Sequence, residues 1–158
     1  MSKNTFSWIP FYKEFANRLL KYRHNRKELL DYIYTIDSKY VGYLHEEDGR
    51  PLDDICPFTT IGIFNRGTTN DNRVVIADLF KNFLEIKSSV PNEFDGIPVL
   101  NNQKSFFFGF SDRRKTDDIE NLWNLFEGAQ QSPYDIEDIF NQVITQYVIK
   151  INITMGLY

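Results

Sequence analysis

Cysteine and histidine are nearly absent from this 158-residue sequence: Cys56 stands alone, and His24 and His45 are the only imidazoles. A lone cysteine excludes an intramolecular disulfide and any zinc site built on several thiolates. No apolar run approaches the ~20 residues that a membrane-spanning helix needs. The start, Met1-Ser2-Lys3-Asn4, leads into mixed aromatic and charged residues, not an apolar signal core. The expected location is the cytoplasm, with no membrane partner. Phosphate-binding loops are missing as well. There is no G-x-x-x-x-G-K-[ST] and no G-x-G-x-x-G, and Phe64 separates Gly62 from Gly67. No nucleotide cofactor is expected in this chain. A G-x-S-x-G elbow is absent, and Cys56 precedes Pro57 with no histidine at a motif spacing, so it reads as a small buried residue. The adjacent ligand types of His45-Glu46-Glu47-Asp48 do not converge without a special loop, and no metal site is expected. Asp78 with Glu85-Ile86-Lys87 loosely resembles a nuclease metal site, but Asp78 falls inside a helical pattern. The chain by itself is expected not to be an enzyme.

Aromatic side chains, by contrast, are abundant: 14 Phe, 9 Tyr and 2 Trp make up 16% of the residues, enough to build a substantial core. The net charge of −4 argues against a wholly basic nucleic-acid binder, although nucleic acid responds to a local patch and not to the average. The charge is uneven. Residues 1–30 carry seven basic groups against two acidic ones, and residues 31–56 carry seven acidic against two basic. Two solvated faces that offset each other account for this.

The periodicity predicts a helix from Ser7 to Arg23, with Trp8, Phe11, Phe15, Leu19 and Tyr22 on its buried face and Pro10 in its first turn. A second helix follows Asn25, with Leu29, Leu30 and Ile33 inward. Residues 37–57 read as a weakly structured, turn-rich loop. The apolar, β-branched and glycine-punctuated stretch Pro57–Gly67 reads as a buried strand or an ordered loop. Thr69, Asn70 and Asp71 offer caps for a helix ending near Leu84, and Pro91–Pro98 with Asp95-Gly96 is a connection. Lys104–Phe110 reads as extended. Asp117 and Glu120 open a helix carrying Ile119, Leu122, Trp123 and Phe126, with Gly128 at its end. Ser132-Pro133 starts the last helix, with Ile136, Ile139, Phe140, Val143 and Ile144 inward. The alternation of Ile149, Ile151 and Ile153 suggests a half-buried strand. The fold class is therefore α+β: a helix-rich single domain with a small sheet or extended segments near 58–64, 105–110 and 148–153. The apolar closing run Ile149–Tyr158 leads to the expectation that the sequence is a piece of a longer protein.

Binding chemistry is what the motifs offer. Asn65-Arg66-Gly67 opens a polar loop able to present Arg and Asn to phosphates or base edges. Asn101, Asn102 and Lys104 form an amide-rich basic segment ahead of Phe106-Phe107-Phe108. Arg113 and Arg114 add a basic cluster for backbone contact. Phe64, Phe106 or Trp123 would supply an aromatic wall to a modified base, although the helical spacing of Trp123 favours the core. An assembly or regulatory module, docking a neighbouring domain through residues 1–30 and aromatic surface, is the competing reading.

The segment Pro57-Phe58-Thr59-Thr60-Ile61-Gly62-Ile63-Phe64-Asn65-Arg66-Gly67 resembles the "PFT-x-x-G-x-FN-x-G" words near the start of many McrB-like proteins. Phe94-Asp95-Gly96-Ile97-Pro98-Val99-Leu100-Asn101-Asn102 resembles their "FDGIPVLNN" segment. Asp118–Trp123 and Asn152–Tyr158 are similar to two further words, in the same order. The resemblance implies that residues 1–158 are an N-terminal DNA-targeting domain of a phage-defence restriction system; the fold and the base read differ among such domains, and sensing of a modified base is an expectation from the aromatic residues above. It also implies a following AAA+ motor that uses GTP or ATP with Mg, and a separate nuclease subunit as partner.

Overall fold

The computed structural model describes residues 6–97, 99 and 106–146. Among these it has seven α-helices: α1 (Ile9–Leu19), α2 (Arg26–Ile33), α3 (Ser38–Val41), α4 (Pro57–Asn65), α5 (Asn70–Leu84), α6 (Asp118–Gln131) and α7 (Glu137–Val143). A single 3-10 turn, Leu20–Tyr22, continues α1. The helix-rich expectation is met. The small sheet is not found among the described residues, which include an isolated antiparallel bridge between His45 and Pro51. The expected strand at 148–153 lies outside the described residues.

The largest correction concerns α4. The stretch read as strand or loop is a helix, and nearly all of it is buried: Pro57, Phe58, Thr59, Thr60, Gly62, Ile63, Phe64 and Asn65. A helix enclosed on every side carries no polar stripe, so its sequence has no 3.6-residue period to read. It packs between α5 and α6, with α1 laid on α5 and α7 on α6. Two aromatic clusters hold it. Phe64 meets Phe15 at 5.1 Å and Phe80 at 5.4 Å, which ties it to α1 and α5. Phe58 meets Phe126 of α6 at 5.6 Å and Phe107 at 5.7 Å. Burying each such ring contributes roughly 1.5–3 kcal/mol.

Both ends of α4 are satisfied by side chains. Cys56 is its N-cap, and its Sγ accepts from the Thr59 amide at 3.3 Å, with Pro57 completing the first turn. Complete burial pushes the thiol up to about 12. Thr59 Oγ1 in turn accepts from the Phe107 amide at 3.2 Å, which fastens the aromatic segment to α4.

Of the remaining helices, α1, α2, α5, α6 and α7 stand where the periodicity predicts helices, whereas α3 falls inside the 37–57 stretch read as a loop, whose Tyr40, Val41, Leu44, Leu52 and Ile55 are buried. Leu29, Leu30 and Ile33 of α2 are buried, and Thr69 caps α5 by accepting from the Asn72 amide. Gly128 is a correction: it lies inside α6, where a Cβ would come within 3.2 Å of Ile136 Cγ2. Close approach of α7, not helix termination, is what a glycine serves there. Ser132-Pro133 forms a turn ahead of α7. Residues 106–110 are irregular, not strand. Gly96 adopts φ +79°, the left-handed region, and the Trp8 indole N–H donates to the Asp95 carbonyl at 2.8 Å beside it.

The connection after α5 is clamped from two sides. Glu85 ends the helix at φ 56°, and Lys81 Nζ donates to the carbonyl of Ile86 at 3.0 Å. Glu14 accepts from the amides of Lys87 (2.7 Å) and Ser88 (2.8 Å) and from the Ser88 hydroxyl. These donors hold its carboxyl at about 2, against an ordinary 4.5. A depressed carboxylate stabilises the fold above its unfolded pKa and loses that contribution as pH falls through the folded one. The difference in urea midpoint between the parent and Glu14→Gln should therefore be largest above pH 4.5 and shrink towards pH 2. A difference independent of pH across that window would show that the clamp does not act through charge.

Candidate functional site

The carboxyl end of α4 leads directly to Arg66, and a buried guanidinium fixes that end. Arg73 of α5 is 6% exposed. Its Nε donates to the Phe64 carbonyl and its Nη2 to the Arg66 carbonyl, each at 2.9 Å, and Asn70 Oδ1 lies 3.5 Å from Nη1. A cation at a helix carboxyl terminus meets the dipole and its orphan carbonyls together. Burial lowers the Arg73 pKa, with the Tyr12 phenol as its opposing influence.

From this anchored backbone the Arg66 guanidinium lies over the Tyr43 ring, 3.4 Å from its centroid. Tyr43 stands edge-on to Phe106 at 6.0 Å, and Phe106 meets Phe108 at 5.8 Å and Phe110 at 5.7 Å. The Arg114 guanidinium lies 5.3 Å from the Phe108 ring. The result is a row of aromatic rings with an arginine at each end, in which Tyr43, Phe106 and Phe110 are half-buried. Arg66 also lines a cleft of about 180 Å³ together with Lys39, Tyr40, Gly67 and Thr68. Lys39 and Tyr43 were not expected at the site; only the tertiary fold brings the 37–57 stretch, with α3 inside it, against Arg66.

The structure therefore unites Arg66 and Phe106 and separates the other candidates. Asn65 is buried, its Oδ1 accepting from the Tyr12 hydroxyl at 3.2 Å, so its amide faces the interior. Phe64 and Trp123 are core residues, 1% and 0% exposed, and the Trp123 indole N–H donates to the Ile55 carbonyl at 3.0 Å. Neither ring is open to a stacking base. Asn101, Asn102 and Lys104 lie outside the described residues.

The Arg114 side chain is only 11% exposed and is held by protein partners. It donates to Asp53 (2.8 Å), to Glu46 (3.1 Å) and to the Gly109 carbonyl (3.1 Å). Glu46 is 2% exposed and also accepts from the Ser111 amide at 2.8 Å. This pair pins the turn that follows the aromatic row. Arg113 is 3.4 Å from Asp112 and 3.8 Å from Glu47. Both arginines thus sit at an acidic rim, where Glu46, Glu47, Asp48 and Asp112 line a shallow depression.

The basic N-terminal block is also engaged internally. Arg23 pairs with Glu120 at 2.8 Å and with Glu127. Arg26 bridges Glu120 (2.7 Å) and Asp54 (2.9 Å), joining α2 to α6 and to the acidic block. Glu120 is thus an ion-pair partner, and Asp117 makes no side-chain cap. Among the described residues no group of His, Cys, Asp and Glu is arranged to hold a metal ion, and no helix is long and apolar enough to cross a membrane.

Fold and site together describe a helix-rich domain that offers an arginine on an aromatic row beside a cationic cleft. Residues 8–158 match the model of a family described as a domain of unknown function, DUF8425, and the chain belongs to that family. No curated protein and no solved structure matches it.

Replacing Arg73 by Met should destabilise the chain by about 1–3 kcal/mol in urea unfolding, the range for leaving buried carbonyls without their donor. Arg73→Lys should recover little, because one ammonium lacks the planar fork that reaches both carbonyls. Full recovery by Lys would show that charge alone holds the end of α4.

Proposed function

We propose that this chain is the DNA-binding, targeting domain of a McrB-like restriction protein, with base-modification sensing as its role. It would deliver DNA to an AAA+ motor using GTP or ATP with Mg and to a separate nuclease subunit. The observation that carries the DNA reading is the guanidinium of Arg66 laid on Tyr43 and continued by half-buried Phe106 and Phe110. Arginine supplies a fork for base edges or phosphate, and aromatic rings supply stacking faces. The family words quoted above supply the restriction context. Arg113 and Arg114 drop out as backbone contacts in this reading, because carboxylates surround them.

Arg66→Ala should weaken duplex binding by about 1–3 kcal/mol while the circular dichroism spectrum is unchanged. Phe106→Ala should weaken binding as well, with little change in the salt slope, since a ring contributes no counterion release. Titration of the 158-residue chain against unmodified, methylcytosine and methyladenine duplexes is the deciding measurement. Binding unchanged in both variants would reject this site, and no binding by the parent at low salt would reject the DNA reading.

A second reading, protein docking, is favoured by Tyr134, which is 97% exposed in the turn between α6 and α7. Its mark would be a partner or self-association that resists salt.

A further inference from the structure

The cleft beside Arg66 contains a feature that the aromatic row does not explain. Lys39 and Arg66 line the same concavity of about 180 Å³, with Thr68 adding a hydroxyl and the buried Ile63 and Ile76 an apolar floor. An anion seated in the cleft would meet two cationic side chains at once. The carboxylate nearest Lys39 is Asp37, at 4.0 Å. Its other oxygen caps α3 by accepting from the Lys39 amide at 2.9 Å. Asp37 is thus already committed to the helix start and only loosely shared with the ammonium. Lys39 also sits 4.7 Å from the Tyr40 ring centroid, which holds the side chain near the cleft at 63% exposure.

The chemistry of the lining selects the anion. A lysine is a point charge, an arginine a planar fork, and a threonine hydroxyl a rotatable donor, and together they suit the several oxygens of a tetrahedral phosphate. We infer that this cleft is a phosphate subsite, with Lys39 and Arg66 as its two cations and Thr68 as a hydroxyl donor. Building on the DNA reading above, the subsite takes one backbone phosphodiester beside the aromatic row. The same chemistry accepts a free phosphate or phosphomonoester.

The test uses the 158-residue chain and Lys39→Gln, a change at an exposed position whose folding is checked by circular dichroism. Thr68→Val serves as a second, uncharged variant. One arm titrates inorganic phosphate against chloride at constant ionic strength and follows the Thr68 amide and Arg66 Nε–H resonances. Phosphate-specific shifts are expected in the parent, and they should be at least about threefold weaker in each variant. The other arm measures duplex affinity against salt. Lys39→Gln should lower the slope of log K against log salt by about 1, as the loss of one phosphate contact requires.

Shifts without a change of slope would assign the cleft to a small phosphate ligand and remove it from the DNA path. Duplex binding by the parent, with neither shifts nor a slope change, would overturn the subsite and leave the DNA reading standing. Phosphate shifts in a parent that binds no duplex would do the reverse. The absence of both responses would overturn both.

Discussion

A helix buried on every face must have its polar ends satisfied from within the protein, and α4 imposes that demand on everything around it. Its amino end is met by the Cys56 sulfur and its carboxyl end by the Arg73 guanidinium. Neither is an ordinary surface cap. A serine or aspartate with water behind it would serve a solvated helix; here the environment is aromatic, and an unmatched carbonyl would cost about 1–3 kcal/mol. Arg73 is long enough to come from a neighbouring helix and forked enough to reach two carbonyls. The cap of α4 is therefore also a cross-link between α4 and α5, and it fixes the backbone from which Arg66 projects.

The cations divide by what surrounds them. Arg23 and Arg26 tie the first helices to α6, and Arg114 is locked into the acidic loop. Two of the seven basic groups in the N-terminal block thus become bracing between elements. Arg66 and Lys39 come from segments distant in sequence and meet at one cleft. The acidic block is part of the same design. Glu46 and Asp53 hold Arg114, Arg114 holds the turn at Gly109, and that turn carries the half-buried end of the aromatic row. Glu46 does this from beneath the surface and Asp53 from outside it.

Helices with one apolar stripe were legible in the sequence. The Leu29-Leu30-Ile33 face, the Thr69 cap and the Ile119-Leu122-Trp123-Phe126 stripe all stand where periodicity puts them. The central helix was not, because enclosure removes the polar face that makes a period visible, and Thr, Ile and Gly favour a strand reading. Gly128 misled for a related reason: glycine marks both helix ends and close helix contacts, and only packing separates the two. Of the site, Arg66 and Phe106 were legible as chemistry. Lys39 of α3 and Tyr43 just beyond it were not, since the approach of that stretch to Arg66 depends on long-range contacts. Asn65 and Arg114 were misread because a polar residue type carries no information about whether its partner is solvent or protein. The McrB-like words contributed the restriction context, and the geometry of the aromatic row stands apart from them.

Cys56 gives the molecule a built-in chemical clock. Its thiol is the only one in the chain, fully buried, and displaced to about 12. At neutral pH the thiolate, the form that attacks an alkylating reagent, is therefore scarce. In the closed state the reaction is thus suppressed twice, by protonation and by exclusion. Each alkylation event then reports a moment when the start of α4 has parted from Thr59 and met solvent. Because that helix is the centre of the packing, the labelling rate of one sulfur atom measures how often the core opens.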